Sequence, residues 1–375
     1  MLLFAFFLLN QFVRAQVTMV LNKIPDDTPP NASVFITGDF DGWSGGKEHR
    51  LAINDKGLYS ITLPKTKTEI TYKFTLGSWE LVETDSLGQN IENRAWRFTD
   101  KHDTIFMKIH NWQKPAKPKM STAAKNVVVL EEAFPMPQYI NRTRKILAYL
   151  PPDYNESNRR YPVVYVHDGQ NIFDDATSFA GEWGVDETLN KLFQEKGTGL
   201  IVIATENGQE ERLNEYTPWK NEKYGGGEGD LYIDFIVNDL KPFVDEKLRT
   251  KPGQWNTGIM GSSLGGLISY YAGLKYPNVF GKVGVFSPSF WFSEESYTYA
   301  TEHGKIKNQK MYLLAGTEEG EDGDVVADSK KVAELLIRAG YKKKNIYQKY
   351  VPGGRHNEQF WKNEFEEAVL WLFRQ

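Results

Sequence analysis

The stretch Asn256-Thr-Gly-Ile-Met-Gly-Ser-Ser-Leu-Gly-Gly266 limits what this chain can fold into more than any other. It reads as an apolar strand, a Gly-x-Ser-x-Gly turn and the opening of a helix, the local pattern of a nucleophile elbow. Glycines at 261 and 265 permit a sharp turn and close packing of strand on helix, which leaves the Ser263 hydroxyl exposed at the tip. Leu264 opens the helix, so its backbone N–H faces the place where an oxyanion would form. Five residues of this kind recur by chance, and their meaning depends on what flanks them. Here Leu264 to Leu274 carries apolar and aromatic residues at helical spacing.

The remaining order of elements agrees with that reading. From Val127 onward apolar strands alternate with amphipathic helices, which predicts a parallel-rich sheet covered on both faces. Val127 to Leu130 and Arg144 to Leu150 form an antiparallel opening pair, and buried strands follow at Tyr161 to His167, Leu200 to Ala204, Trp255 to Met260, Lys282 to Phe286, Lys310 to Ala315 and Ile346 to Val351. Helices are expected over Val185 to Gln194, Leu231 to Leu248, Leu264 to Leu274, Val325 to Ala339 and Glu358 to Phe373. This is the order of an α/β-hydrolase, in which a serine, an acid and a histidine occupy loops at the carboxyl ends of successive strands.

That order makes two demands, an acid after the strand two places beyond the elbow strand and a histidine after the last strand. Lys310 to Ala315 runs into Gly316-Thr-Glu-Glu-Gly-Glu-Asp322, and Ile346 to Val351 runs into Pro352-Gly-Gly-Arg-His356. Of the six histidines, three lie in the front third, and His167 and His303 precede the required acid. His356 is therefore the candidate base, needed because a serine hydroxyl is a poor nucleophile until an imidazole takes its proton. A carboxylate on the far ring nitrogen would hold the productive tautomer. Glu318, Glu319, Glu321, Asp322 and Asp324 all compete for that role, and Glu319 is preferred for its distance from the strand end. A second oxyanion donor is expected from the loop Val166-His-Asp-Gly-Gln-Asn-Ile-Phe173, from the N–H of Gln170 or alternatively Gly169, with His167 shaping that loop rather than acting as a base.

Four separated segments, His167-Asp-Gly-Gln-Asn171, Asn207-Gly-Gln-Glu-Glu-Arg-Leu-Asn-Glu-Tyr-Thr-Pro218, Gly261-Ser-Ser-Leu-Gly-Gly266 and Phe286-Ser-Pro-Ser289, together resemble the putative-esterase family. That group holds the feruloyl and acetyl-xylan esterases of carbohydrate esterase family 1, esterase D-like proteins and siderophore-ester hydrolases. The resemblance spans nearly all of residues 127 to 375. It implies an α/β-hydrolase fold, hydrolysis of carboxylic esters without a cofactor or metal, and a triad of Ser263, Glu319 and His356. Substrate-lining candidates are Asn207, Arg212, Glu215, Tyr216 and Trp219 from the long loop, with Trp291 beyond the Ser-Pro-Ser turn. Arg212 and Glu215 could instead pair with each other, and Tyr224 to Gly229 is read as the edge of a lid.

Residues 16–113 differ in character, with short strands broken by turn residues and no helical period. Val17 to Leu21, Ser33 to Thr37, Leu58 to Leu63, Glu69 to Thr75 and Thr104 to Ile109 predict a separate N-terminal antiparallel β-sandwich. Within it, Ile36-Thr-Gly-Asp-Phe-Asp-Gly-Trp43, Tyr72-Lys-Phe-Thr-Leu-Gly-Ser-Trp-Glu80 and Asn93-Arg94 resemble the starch-binding type of carbohydrate-binding module. The resemblance makes Trp43 and Trp79 the expected sugar-stacking residues, with Lys73 and Asn93 as polar partners. The alternative is a domain that merely packs beside an enzyme. Residues 114–126, rich in Lys, Pro, Ser and Ala, read as a linker before the esterase domain at 127–375.

Met1 to Val13 is an apolar run of signal-peptide length, followed by small residues around Ala15, so residues 1–15 are expected to be cleaved and the protein secreted or periplasmic. No positive charge precedes the run, a departure from the usual pattern. The absence of cysteine excludes disulfides and a thiol nucleophile. A formal net charge of −4 without a basic stripe argues against nucleic acid and, after cleavage, against membrane. The expected partner is a polysaccharide or acylated oligosaccharide. The leading expectation is a serine carboxylic-ester hydrolase removing feruloyl or acetyl groups from polysaccharide. The alternatives are a siderophore (catecholate trilactone) esterase, and a non-catalytic glycan-binding protein on a hydrolase scaffold.

Overall fold

A computed structural model describes residues 15–46, 48–114, 119–319 and 324–373. The expected signal segment lies outside these apart from Ala15, as do Glu321 and Asp322 of the acidic loop. The chain divides into two compact units, residues 1–117 and 118–375.

The first unit contains β1 (Gln16–Lys23), β2 (Phe35–Gly38), β3 (Ala52–Ile53), β4 (Tyr59–Pro64), β5 (Glu69–Thr75), β6 (Glu83–Thr84), β7 (Arg94–Arg97), β8 (His102–Lys108) and β9 (Asn111–Trp112). They form sheets of order β3-β4-β1-β8 and β2-β5-β7, with a small β6-β9 pair. Alternate residues of β1 (Val17, Met19, Leu21) and of β5 (Ile70, Tyr72, Phe74) are buried in one core, the period-two burial of strands with one covered face. The expectation of a wholly antiparallel unit is corrected, because β1 pairs with β8 in parallel. All the other strands down to β7 intervene in sequence, and that length of chain supplies the crossover a parallel pair needs.

The second unit contains β10 (Val127–Pro135), β11 (Thr143–Tyr149), β12 (Val163–Val166), α1 (Val185–Lys196), β13 (Ile201–Thr205), α2 (Arg212–Tyr216), α3 (Gly229–Phe235), α4 (Lys241–Lys247), β14 (Thr257–Ser262), α5 (Leu264–Lys275), β15 (Lys282–Phe286), α6 (Glu295–His303), β16 (Lys310–Glu318), α7 (Val325–Ala339), β17 (Ile346–Arg355) and α8 (Glu358–Phe373). One eight-stranded mixed sheet runs β10-β11-β13-β12-β14-β15-β16-β17, antiparallel in its first two pairings and parallel thereafter. Separate cores on the two faces of the sheet explain why β12, β13 and β14 are buried at every residue. The parallel strands β14, β15, β16 and β17 deliver their carboxyl ends to one edge, where Ser263, Glu319 and His356 follow directly.

Three local readings change. The helix expected over Leu231 to Leu248 is α3 and α4 joined by a π-turn at Ile236–Leu240. Pro242 opens α4 and has no N–H to give to the preceding turn, which is where a helix accommodates a wider register. Residues from Lys119 onward, read as linker, are fastened to the second unit. Ser121 Oγ donates to Asp174 (2.6 Å) and Ala124 N to Asp186 (2.7 Å). The segment read as a lid edge is a bonded turn, with Asn221 and Gly225 exchanging backbone hydrogen bonds of 2.8 and 2.9 Å and Gly227 N donating to Thr217.

Candidate active site

Ser263 sits at φ 59°, ψ −124°, a strained conformation for a residue with a side chain, as a nucleophile elbow requires. The neighbouring strand and loop hold it there. Its N–H donates to Phe286 O (3.0 Å), and its carbonyl accepts from Ser289 N (3.2 Å). The elbow closes only because its glycines lack side chains. A Cβ on Gly261 would stand 2.7 Å from the Gly265 carbonyl and 2.9 Å from the His167 ring, and one on Gly266 would stand 2.7 Å from Phe286 O. The Ser263 hydroxyl lies 3.4 Å from that of Ser289.

His356 follows β17, and its Nδ1 stands 3.1 Å from Glu319 Oε2. The Glu319 side chain is 1% exposed and that of His356 is 36% exposed, so a buried carboxylate meets a partly open imidazole. The second carboxylate oxygen, Oε1, accepts from Ser287 Oγ (2.7 Å) and from Gly316 N. Of the other acids weighed from sequence, Glu318 pairs with Arg355 (3.2 Å) at the surface, and Asp324 caps α7 by accepting from Ala327 N (2.9 Å).

The loop after β12 opens on Asp168 in the left-handed region (φ 57°, ψ 47°) and runs through a single turn at Gly169–Asn171. Asp168 is the anchor that sequence reasoning missed. Arg212 grips its carboxylate through Nε–Oδ1 (2.7 Å) and Nη2–Oδ2 (2.9 Å), and Asn207 Nδ2 adds a third bond of 2.7 Å. Burial alone would raise this carboxyl, but the Arg212 charge and these hydrogen bonds together hold it below the ordinary aspartate value. Gln170 faces the same loop, its Oε1 accepting from Asn207 N (3.2 Å).

These contacts correct several substrate-lining candidates. Tyr216 is fully buried and its hydroxyl accepts from Asp168 N (3.1 Å), so it supports the loop from beneath and offers no surface to a substrate. Arg212 does not pair with Glu215. It is committed to Asp168, while buried Glu215 takes Arg142 (3.1 Å) and Arg144. Asn207 likewise acts through Asp168. Trp291 remains 36% exposed, standing edge-on to Tyr224 with ring centres 6.0 Å apart. His167 is buried, with Nδ1 3.0 Å from the Tyr232 hydroxyl and its ring packed against both Tyr216 and Tyr232, which also touch each other. Burial pushes its pKa down to about 4, which keeps it neutral.

In the first unit, Trp43, Lys73, Trp79 and Asn93 line one cleft of about 510 Å³. The Trp43 and Trp79 rings are 6.0 Å apart and tilted by 38°, and Trp79 Nε1 donates to Trp43 O (3.2 Å). Trp79 is 42% exposed.

The sheet order, the strained serine after β14 and the carboxylate–imidazole pair after β16 and β17 are those of the α/β-hydrolase class. The chain belongs to the putative-esterase family, whose pattern matches residues 137–372, and it is an ester hydrolase. It is 30% identical over 242 residues to the uncharacterized protein YbbA of Bacillus subtilis, covering 61% of this chain and 92% of that one. It is 23% identical over 230 residues to an endo-1,4-beta-xylanase/feruloyl esterase of Xylanibacter ruminicola, covering 60% and 29% respectively. A further similarity, 37% over 93 residues, is to an alpha-amylase of Niallia circulans and covers 24% of this chain and 7% of the amylase. Among solved structures, the enterobactin esterase FES of Shigella flexneri shares the fold at a TM-score of 0.53 and 14% identity, over 91% of this chain and 88% of its own.

Proposed function

We propose that the protein is a secreted serine esterase that removes feruloyl or acetyl groups from polysaccharide through Ser263, His356 and Glu319. The observation that carries this reading is the 3.1 Å contact between buried Glu319 and His356, at the carboxyl ends of two strands of the same parallel run as the one that leads into the strained Ser263. With Nδ1–H donated to Glu319, the imidazole presents Nε2 as the proton acceptor. Ser263 Oγ attacks the ester carbonyl carbon as His356 takes its proton, and the oxyanion is received by the N–H groups of Leu264 and Gln170. His356 then returns the proton to the departing alkoxide. Water repeats the sequence on the acyl-serine, releasing the carboxylic acid.

Two features favour a neutral acyl-glycan over the anionic catecholate of a siderophore ester. Arg212 spends its charge on Asp168. Glu358, close enough to influence His356, Asp168 and Arg212, adds an acidic group on the same side, its carboxyl held above the ordinary value chiefly by burial. The relatives include both a xylanase/feruloyl esterase and an enterobactin esterase, so the choice between them rests on these charges. In the first unit, the paired Trp43 and Trp79 rings with Lys73 and Asn93 suit the face and hydroxyls of a sugar, and tethering to glycan would raise the local concentration of its esters. The similarity of 93 residues of this chain to part of an alpha-amylase is consistent with a starch-type module.

Rates measured side by side on methyl ferulate, acetylated xylan and a catecholate trilactone test the substrate class. Preference for either of the first two supports the proposal, and preference for the trilactone replaces it with the siderophore reading. Turnover of none of them would contradict both proposed substrate classes.

A further inference from the structure

We infer that Ser287, held by Trp361, is a positioning residue for the acid of the triad. The inference rests on Ser263, Glu319 and His356 being that triad. Ser287 follows β15 in the left-handed region (φ 43°), is fully buried, and is fixed by its own N–H donating to Leu314 O (2.7 Å). Its hydroxyl stands 2.7 Å from Glu319 Oε1 and 2.8 Å from the indole nitrogen of Trp361 on α8.

The direction of these bonds is forced. An indole nitrogen can only donate, so Ser287 Oγ accepts from Trp361, and its single proton goes to the carboxylate, which only accepts when ionised. Gly316 N donates to the same Oε1. With Oε1 held from two sides, the carboxylate plane cannot rotate, and Oε2 stays directed at His356 Nδ1. Trp361 also stands edge-on to the His356 ring, with centres 5.2 Å apart, so one side chain fixes both the acid's support and the base's attitude. Nothing in this arrangement touches a substrate. Ser287 acts only through Glu319.

That dependence distinguishes it from a residue that merely packs. Ser287→Ala should lower kcat by roughly tenfold to a hundredfold, the effect of a hydrogen bond to a charged group, and leave KM unchanged. Introduced into Glu319→Gln, the same change should produce no further loss in kcat, because Ser287 acts only by aiming a carboxylate at His356 and the variant no longer has one. Trp361→Phe, which keeps the ring and loses only the N–H, gives a second route should Ser287→Ala fail to fold. Its smaller loss in kcat should also vanish in the Glu319→Gln background. Wild-type kcat in Ser287→Ala, or losses that multiply with Glu319→Gln, would overturn the inference. A near-normal rate in Glu319→Gln alone would instead remove the triad reading beneath it.

Discussion

Nδ1 of His356 lies 3.1 Å from Oε2 of Glu319, although the two residues come from loops after different strands and one side chain is buried while the other is open. In the proposed triad the buried partner would hold the tautomer that leaves Nε2 to take a proton from Ser263. Replacing Glu319 by Gln should lower kcat by about 10²- to 10⁴-fold, as expected where an acid orients a histidine. Glu318→Gln removes only a surface ion pair with Arg355 and should leave kcat within about twofold, since exposed pairs contribute about 0–1 kcal/mol. Steady-state rates on a small acetate ester check both.

The Asp168–Arg212 pair should be costly to break from one side. Arg212→Met leaves a buried carboxylate without its cation, and a loss of about 3–5 kcal/mol in unfolding free energy is expected. The double change Asp168→Asn with Arg212→Met removes both charges and should recover part of that loss. Because Asp168 opens the loop that holds Gln170, the single variant should also lose kcat. Urea unfolding and kinetics on the same preparations measure the two effects.

His167 predicts a pH dependence of stability. Its pKa falls from an ordinary value near 6.5 to about 4 because burial disfavours the charged ring. The unfolded chain therefore takes up a proton below about pH 6.5 that the folded chain refuses until about pH 4, so stability falls as pH drops through that window. The contribution is about 3 kcal/mol across it. Asp168 adds a loss in a lower window. Its folded value is depressed, so its contribution is present above the ordinary aspartate range and is lost as pH falls further. Urea titrations from pH 7 to pH 4 should give slopes that differ by nearly one proton between the wild type and His167→Gln, with the wild type losing more stability as pH falls.

In the first unit, Trp43→Ala and Trp79→Ala should each weaken retention on insoluble polysaccharide, and the double variant should abolish it. A base-stacking-sized contribution of about 1–3 kcal/mol per aromatic face corresponds to roughly 5- to 150-fold in affinity per ring. Unchanged retention in the double variant would mean that the cleft between these rings is not a glycan site.

How much of this was legible in the sequence depended on which distances matter. The positions of Ser263 after β14 and His356 after β17 were readable because strand order, which the chain displays directly, sets them. Glu319 was readable as a fixed distance past β16. The contacts of Ser287 and Trp361 were not, because they depend on where α8 packs over the end of β15, a relationship between residues 74 positions apart. Ion pairing misled for the same reason. Arg212 and Glu215 stand three apart, yet Asp168 on one side and Arg142 with Arg144 on the other outcompete the local pair. Tyr216 looked like a pocket aromatic and is a buried prop, since a hydroxyl that can satisfy the Asp168 N–H from below is worth more there than at a surface. In the first unit, alternation located β1, β2, β4, β5 and β8 but not the short β3, β6, β7 and β9, nor the parallel pairing of β1 with β8, because side-chain period carries no information about a neighbour's direction.

The central claim is that Ser263 is the nucleophile of an esterase. It is tested most directly by hydrolysis of 4-nitrophenyl acetate by the wild type and by Ser263→Ala at matched concentration, with folding verified by thermal melting. The account predicts turnover in the wild type that falls to the uncatalysed background, or within about 10³- to 10⁴-fold of it, in the variant. Equal rates in the two proteins, or no turnover by the wild type, would contradict it.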